Sequence, residues 1–396
     1  MSKHALLSAS SAKRWLSCSP SARLCENYPD KSSSYAAEGT DAHTLGEYKL
    51  RIALGLADEN GKLPQDPKEN LSYYNEEMEA CADGYAEYVC GVVEAAKQKS
   101  SDVIVLIEQR LDFSRYVPDG FGTGDCVVIA DGTLHIIDYK HGQGVLVEAV
   151  DNPQMKLYAL GALETYDFLY DIDTVSMTIF QPRRDNVSTH TVSKGSLTAW
   201  AQEVLVPTAQ RAWKGEGEFV CGEWCGFCKA KAECRARAEA NLELVRYDFC
   251  KPALLEDNEI SEILGKLNEL KAWATAVEEF AFNEALKGKK WSGYKLVEGR
   301  SNREYTDTKA VTDRLLKAGY RDIYKPAEIL GLTAMTKAIG GKAKFGELLE
   351  GTVKDAKGNP TYEPLIHKPH GKPTLVPESD KRQEITVNSA ADDFAE

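Results

Sequence analysis

Two apolar runs joined by Asp131-Gly132 constrain this chain most, because each carries an acid at a fixed place. Cys126-Val127-Val128-Ile129-Ala130 and Thr133-Leu134-His135-Ile136-Ile137-Asp138-Tyr139-Lys140 read as strands, and Asp-Gly between such runs is a tight-hairpin signal. The hairpin returns the end of the second strand to the start of the first, which sets Asp125 beside Asp138. On a strand, residues two apart share a face, so Asp138 and Lys140 point one way and Tyr139 the other. A helix then starts at Asp151-Asn152-Pro153, with Gln154 and Tyr158 on one face at i and i+4.

Two carboxylates that close repel in a dry site unless a cation lies between them. A hard divalent ion such as Mg²⁺ takes oxygen ligands and keeps several waters. One such water can be a nucleophile, and Lys140 can orient it or offset charge on an attacked phosphate. The amide of Gln154 and the phenol of Tyr158 can contact a nucleic-acid backbone or that lysine. Upstream, Glu38-Gly39-Thr40-Asp41-Ala42-His43 opens an amphipathic helix with Leu45, Tyr48 and Ile52 along its apolar side. His43 then falls in the first turn, where it could supply an imidazole ligand.

In the order helix, strand, strand, helix, these residues resemble the PD-(D/E)XK nuclease superfamily. The match is to its RecB-like branch, with motifs G-T-x-x-H, G-D, D-x-K and Q-x-x-x-Y. Here they read Gly39-Thr40-Asp41-Ala42-His43, Gly122-Thr123-Gly124-Asp125, Asp138-Tyr139-Lys140 and Gln154 to Tyr158. The resemblance covers about residues 8–240. It implies an α/β (α+β) fold with a restriction-endonuclease-like mixed sheet flanked by helices. It further implies a metal-dependent DNA nuclease, working as an exonuclease on ends or single strands. Asp125, Asp138, Lys140, Gln154 and Tyr158 would be catalytic. His43, Asp125, Asp138 and the Tyr139 carbonyl would hold Mg²⁺ or Mn²⁺.

Ten cysteines give the second signal, and four of them crowd into Cys221, Cys225, Cys228 and Cys234. C-x2-C-x5-C is metal-ligand spacing. A disulfide framework is not expected, since the chain is long and shows no signal peptide or membrane-spanning run. One ligand set is local, Cys221, Cys225, Cys228 and Cys234 around zinc. The other joins Cys225, Cys228 and Cys234 to a distant cysteine. RecB-like nucleases of the AddB type and the CRISPR-associated adaptation nucleases carry a [4Fe–4S] staple of the second kind. The segment from Ser8 to Pro20 resembles their leading element, which implies Cys18 as the fourth ligand, with Cys25 as its substitute. Four thiolates suit a [4Fe–4S] cluster as well as Zn²⁺. Cys81, Cys90, Cys126 and Cys250 sit in apolar-patterned segments and read as buried hydrophobes.

The net charge of −13 is unusual for a nucleic-acid binder, because phosphate contacts normally supply much of the affinity. The cations are clustered, however. Lys229, Lys231, Arg235 and Arg237 form one group. Lys287, Lys289, Lys290, Lys295, Arg300 and Arg303 form a second, interleaved by Trp291 and Tyr294, on which bases could stack. The DNA-binding candidates are therefore Lys287, Lys289, Lys290, Trp291 and Tyr294. Solvated cations over packed aromatics fit this second group equally well.

At 396 residues the chain is long enough for more than one domain. Val103 to Ile107 reads as a first strand, and Glu108 at its end either joins the site or faces water. Glu76 to Ala96 reads as a long helix; strands follow at Thr174 to Phe180 and Ser188 to Val192, and a helix at Leu197 to Trp213. Helices alternating with strands imply a mixed sheet covered by helices. Residues 1–250 are expected to form the nuclease domain with its cysteine-ligated cluster. Residues 251–350 read as a helical extension with an apolar stripe from Ile260 to Phe280, and 351–396 as a loop and disordered acidic tail. The whole chain resembles a bacteriophage- or prophage-encoded family. That implies DNA recombination or replication in the bacterial cytoplasm, DNA as partner, a phage single-strand DNA-binding or annealing protein beside it, and no membrane. The other readings are a structure-specific endonuclease and a zinc-stapled, non-catalytic DNA-binding or scaffolding subunit.

Overall fold

A computed structural model of the chain describes residues 5–29, 34–57, 61–130, 132–243, 255–294, 336 and 341–346. Its centre is a five-stranded mixed sheet in the order β1-β2-β3-β4-β5. The strands are β1 (Ile104–Asp112), β2 (Phe121–Ala130), β3 (Thr133–Tyr139), β4 (Thr174–Gln181) and β5 (Asn186–Ser193). All neighbours pair antiparallel except β3 and β4, which are parallel. The crossover between those two is α5 (Pro153–Tyr170). Asn152 caps α5 by accepting from the amides of Gln154 and Met155, and Pro153 follows at the first helical position.

Each face of the sheet buries its own core. On one side Val127, Ile129, Leu134, Ile136, Met177 and Ile179 pack with Leu157 and Leu160 of α5. The same core takes in Trp15 from α1 (Ala12–Ser17) and Leu197 from α6 (Lys194–Trp200). On the other side Cys126, Val128, Ile137, Tyr139 and Phe180 meet two long helices, α3 (Ser34–Leu54) and α4 (Glu76–Lys97). The alternation along β2 and β3 assigns these faces residue by residue. Leu45 and Leu50 of α3 and Met78 of α4 are fully buried there. Burial of such a side chain stabilises by about 2 kcal/mol.

Several local expectations are corrected. Helix α3 begins at Ser34, not near Glu38, so His43 sits in mid-helix. Its inward face carries Ala42, Leu45, Gly46 and Leu50, whereas Ile52 is exposed. Gly46 is there because a Cβ would meet Tyr139 at 3.3 Å and Tyr85 at 3.4 Å. Strand β1 continues past Ile107 to Asp112, so Glu108 lies within it. Cys81 and Cys126 are buried, as their patterning predicts.

After the sheet, α7 (Val206–Lys214), the cysteine segment, α8 (Arg235–Leu242) and α9 (Asp257–Leu286) follow. Arg237 is not part of an open basic patch: it is buried and paired with Glu269 of α9 at 2.6 Å. The stripe on α9 is only partly covered, with Ile260 and Leu264 exposed and Leu267, Leu270, Trp273 and Val277 half-buried. Residues Met1–Tyr294 form one compact unit and Lys295–Glu396 a second. In the second, the described residues include a short helix, Lys342–Phe345. Cys250, Lys295, Arg300, Arg303 and the expected acidic tail lie outside the described residues.

Candidate active site

The β2/β3 ladder runs from Ala130↔Thr133 to Cys126↔Ile137, and the next residues along are Asp125 and Asp138. There the strands part, and the Asp125 side chain takes over: its Oδ2 accepts from the Tyr139 amide at 2.7 Å. Asp138 is on the α5 side of β3, in step with Leu134 and Ile136. Tyr139 turns to the α3/α4 side, stacking on Tyr85 with ring centroids 5.0 Å apart.

Helix α5 meets this edge through Gln154. Its Oε1 accepts from Lys140 Nζ at 3.3 Å, and its Nε2 lies 3.2 Å from both Asp138 Oδ1 and the Tyr158 hydroxyl. Tyr158 is buried, so it supports Gln154 rather than facing a polymer in solvent. A Cβ on Gly122 would stand 2.7 Å from Tyr158 Cε1, which explains the glycine in Gly122-Thr123-Gly124-Asp125. Helix α3 adds His43, whose Nδ1 lies 3.3 Å from Asp125 Oδ1. His43, Asp125, Asp138, Lys140, Gln154 and Tyr158 are thus brought together.

The charges divide unequally. Burial pushes Asp138 up, and neighbouring Asp125 adds to that against the pull of Lys140. Burial also works on Asp125, but His43 and Lys140 outweigh it and hold it below the usual carboxylate range. Burial opposes the charged His43; Asp125 prevails and holds the imidazole up to about 9. Lys140 Nζ lies 2.8 Å from Asp138 Oδ2, yet that buried oxygen has no hydrogen bond of adequate geometry. A buried carboxylate oxygen with spare lone pairs beside a second carboxylate is a donor set for a hard divalent cation.

Glu108 enters the site without a motif to mark it. Its carboxylate, His43 and Asp125 each offer a ligand atom within 4.8 Å of the others. The motifs' flanks also form a chain behind the site. Tyr139 hydroxyl meets His141 Nδ1 at 3.0 Å, His141 Nε2 lies 3.7 Å from Glu38, and Arg183 binds Glu38 at 2.9 Å.

The cysteines gather apart from this edge. Cys18, Cys221, Cys225, Cys228 and Cys234 line one small cavity. Cys25, from α2 (Ser21–Glu26), approaches Cys228 with 3.7 Å between sulfurs, and Cys225 lies 4.0 Å from Cys221. The Cys228 contact, joined by Arg14 at 3.3 Å, holds the Cys25 thiol down to about 5. The N-terminal segment is tied here by further bonds, Ser19 hydroxyl to Glu216 carbonyl at 2.7 Å and Arg23 to Trp213 carbonyl at 2.6 Å.

At the far end of α9, Trp291 donates to the Ala281 carbonyl at 2.8 Å, and Lys289 lies 4.3 Å over its ring. That indole is engaged within the helix end, whereas Tyr294 is 84% exposed. Lys287 pairs with Glu284 at 2.7 Å, and Lys290 is exposed. Among the described residues, no helix is long and apolar enough to cross a membrane.

A family model described as a protein of unknown function, DUF2800, matches residues 4–383. Among solved structures, a putative exonuclease from Eubacterium rectale is 15% identical, with a TM-score of 0.32 over 56% of this chain and 86% of that one. The crystal structure of SSO0001 is 11% identical, with a TM-score of 0.21 over 49% of this chain and 95% of that one.

Proposed function

This chain belongs to the DUF2800 family, and we propose that it is a divalent-metal-dependent DNA nuclease of the RecB-like PD-(D/E)XK type. One observation carries the reading: Asp125 and Asp138 flank the point where β2 and β3 part, and Gln154 clamps Asp138 to Lys140. A solvated surface pair would need neither the burial of Asp138 nor the clamp.

Asp125, Asp138, His43 and the Tyr139 carbonyl would hold Mg²⁺ or Mn²⁺. When bound, the ion supplies Lewis acidity toward phosphate oxygen and lowers the pKa of a bound water. The protein's own part is orientation. Lys140 keeps its ammonium between Asp138 and Gln154, its charge held by Asp138 and Asp125 against the cost of burial. There it orients the attacking water or meets charge on the phosphate. Gln154 fixes Lys140 and Asp138 together, and Tyr158 fixes Gln154.

Cys18, Cys225, Cys228 and Cys234 would ligate a [4Fe–4S] cluster that staples the N-terminal segment to the cysteine segment. Their common cavity supports this, and Cys25 beside Cys228 is the alternative ligand. The setting we propose is phage DNA recombination or replication, with DNA ends or single strands as substrate.

The test is digestion of end-labelled linear and closed circular DNA, single- and double-stranded, with Mg²⁺ and with EDTA. Mg²⁺-dependent loss of linear DNA alone identifies an exonuclease. Cutting of circles makes the protein an endonuclease. No cleavage by the anaerobically purified chain with either Mg²⁺ or Mn²⁺ overturns the reading.

A further inference from the structure

We infer that Glu108 is a ligand of the divalent ion, with His43 and Asp125, an inference that rests on the nuclease reading and deepens its metal site.

The geometry comes from a slip in the sheet. Residues an even number apart on a strand share a face. On β1, however, Ile107 packs into the α3/α4 core and Leu111 into the α5 core. On β2, Cys126 packs into the α3/α4 core, whereas Gly122 faces Tyr158 of α5. Both strands therefore lose one step of alternation over the same stretch. The register is Ile107↔Cys126 on one side and Gln109↔Gly124 on the other, which leaves Glu108 opposite Asp125 at the slip. Glu108 has φ 51, a left-handed conformation costly for a glutamate within a strand.

The slip delivers both carboxylates to His43 on α3. The ligand atoms of Glu108, Asp125 and His43 lie within 4.8 Å of one another. Two carboxylates and an imidazole at that spacing form a donor set for a divalent cation, and without one the acids repel. Asp138, the neighbouring acid on β3, has a buried oxygen, Oδ2, that makes no hydrogen bond of adequate geometry although Lys140 Nζ lies 2.8 Å from it.

The test is Mn²⁺ titration of the full chain after EDTA treatment, followed by calorimetry and by the Mn²⁺ paramagnetic signal, with no DNA present. Glu108→Gln is expected to weaken Mn²⁺ binding by about tenfold or more, as loss of a ligand or its support does elsewhere. Glu47→Gln removes a nearby acid outside the group and is expected to bind as the wild type does. Asp125→Asn is expected to lose binding. If Glu108→Gln unfolds, Glu108→Asp carries the test, since it keeps the charge but withdraws the carboxylate by one methylene. Wild-type affinity in the folded Glu108 variant, with binding lost in Asp125→Asn, overturns the role of Glu108 and leaves the nuclease reading standing. Equal weakening in the Glu108 and Glu47 variants also overturns it, because general charge then explains the effect. A wild-type chain that binds no Mn²⁺ removes the nuclease reading and this inference together.

Discussion

Gln154 Nε2 lies 3.2 Å from Asp138 Oδ1 while its Oε1 accepts from Lys140 at 3.3 Å, so one amide on α5 sets both members of the D-x-K pair on β3. The amide can do this only in one orientation, since Lys140 has no acceptor to offer and an ionised Asp138 no donor. Gln154→Leu keeps volume and removes both contacts. Turnover is expected to fall about 10- to 100-fold, as with other supporting groups of metal sites. Mn²⁺ affinity is expected to change less. Unchanged turnover at saturating DNA would show that Lys140 is positioned by something else.

Asp138 and Lys140 separate by readout. Asp138→Asn is nearly isosteric and removes a charge whose burial is unfavourable, so cleavage should vanish while the melting temperature holds or rises. Lys140→Ala should lose turnover by about 10²- to 10⁴-fold, the range for a group acting on a transferred proton or its charge. Its Mn²⁺ titration should resemble the wild type. Metal binding that disappears with Lys140 contradicts the division of roles.

Gly122→Ala tests why a glycine precedes Asp125 by three. The added methyl would stand 2.7 Å from the buried Tyr158 ring, which must then move or push β2 away. Overpacking of this kind costs about 1–3 kcal/mol. The urea midpoint should fall accordingly, and turnover should fall with it because Tyr158 supports Gln154. A midpoint equal to the wild type would mean that the ring moves freely.

The site was readable in sequence where periodicity decides the outcome. The two-residue period of β3 puts Asp138 and Lys140 on one face, and the helical period puts Gln154 above Tyr158. Parity fails at Glu108, where a non-glycine takes φ 51 and the alternation slips, and no residue type announces that. The start of α3 was hidden for another reason. Gly39 and Gly46 look like breakers, each costing about 1 kcal/mol in a helix interior. Yet Gly46 is needed for close approach to Tyr139 and Tyr85, so tertiary packing overrides propensity. Arg237 reads as a surface cation until α9 covers it with Glu269, a contact thirty-two residues away in sequence.

Glu79 offers a pH-dependent test of how α3 and α4 are held. Hydrogen bonds from Lys68 and Tyr74, and from Lys49 at 2.9 Å, hold its carboxyl down to about 2. The folded value lies below the unfolded one of 4.5. Its stabilisation is therefore fully present above pH 4.5 and is lost as pH falls toward 2. The side chain is 24% exposed and its partners are partly solvated, so screening should keep the contribution on the order of 1 kcal/mol or less. Glu79→Gln should lower the melting temperature at pH 7, and its difference from wild type should close as pH falls through that window. A difference that stays constant with pH assigns the effect to packing.

The cysteines carry the last prediction. A cluster on Cys18, Cys225, Cys228 and Cys234 would close a loop of about two hundred residues, and long-loop crosslinks of this kind contribute about 2–5 kcal/mol. The bonds of Ser19 and Arg23 to Glu216 and Trp213 also bring these segments together. Cys18→Ser should lose iron and lower the melting temperature, with activity falling as a consequence, and Cys221→Ser should change little. Cys25 sharpens the choice, because its sulfur lies 3.7 Å from Cys228 and its thiol is held near 5. If Cys25→Ser strips the iron and Cys18→Ser does not, the staple closes through α2 instead of α1. If Cys221→Ser alone strips the metal, and the metal is zinc, the four cysteines between Cys221 and Cys234 form a local knuckle. The N-terminal segment would then be held by its hydrogen bonds and by the packing of Trp15 into the core.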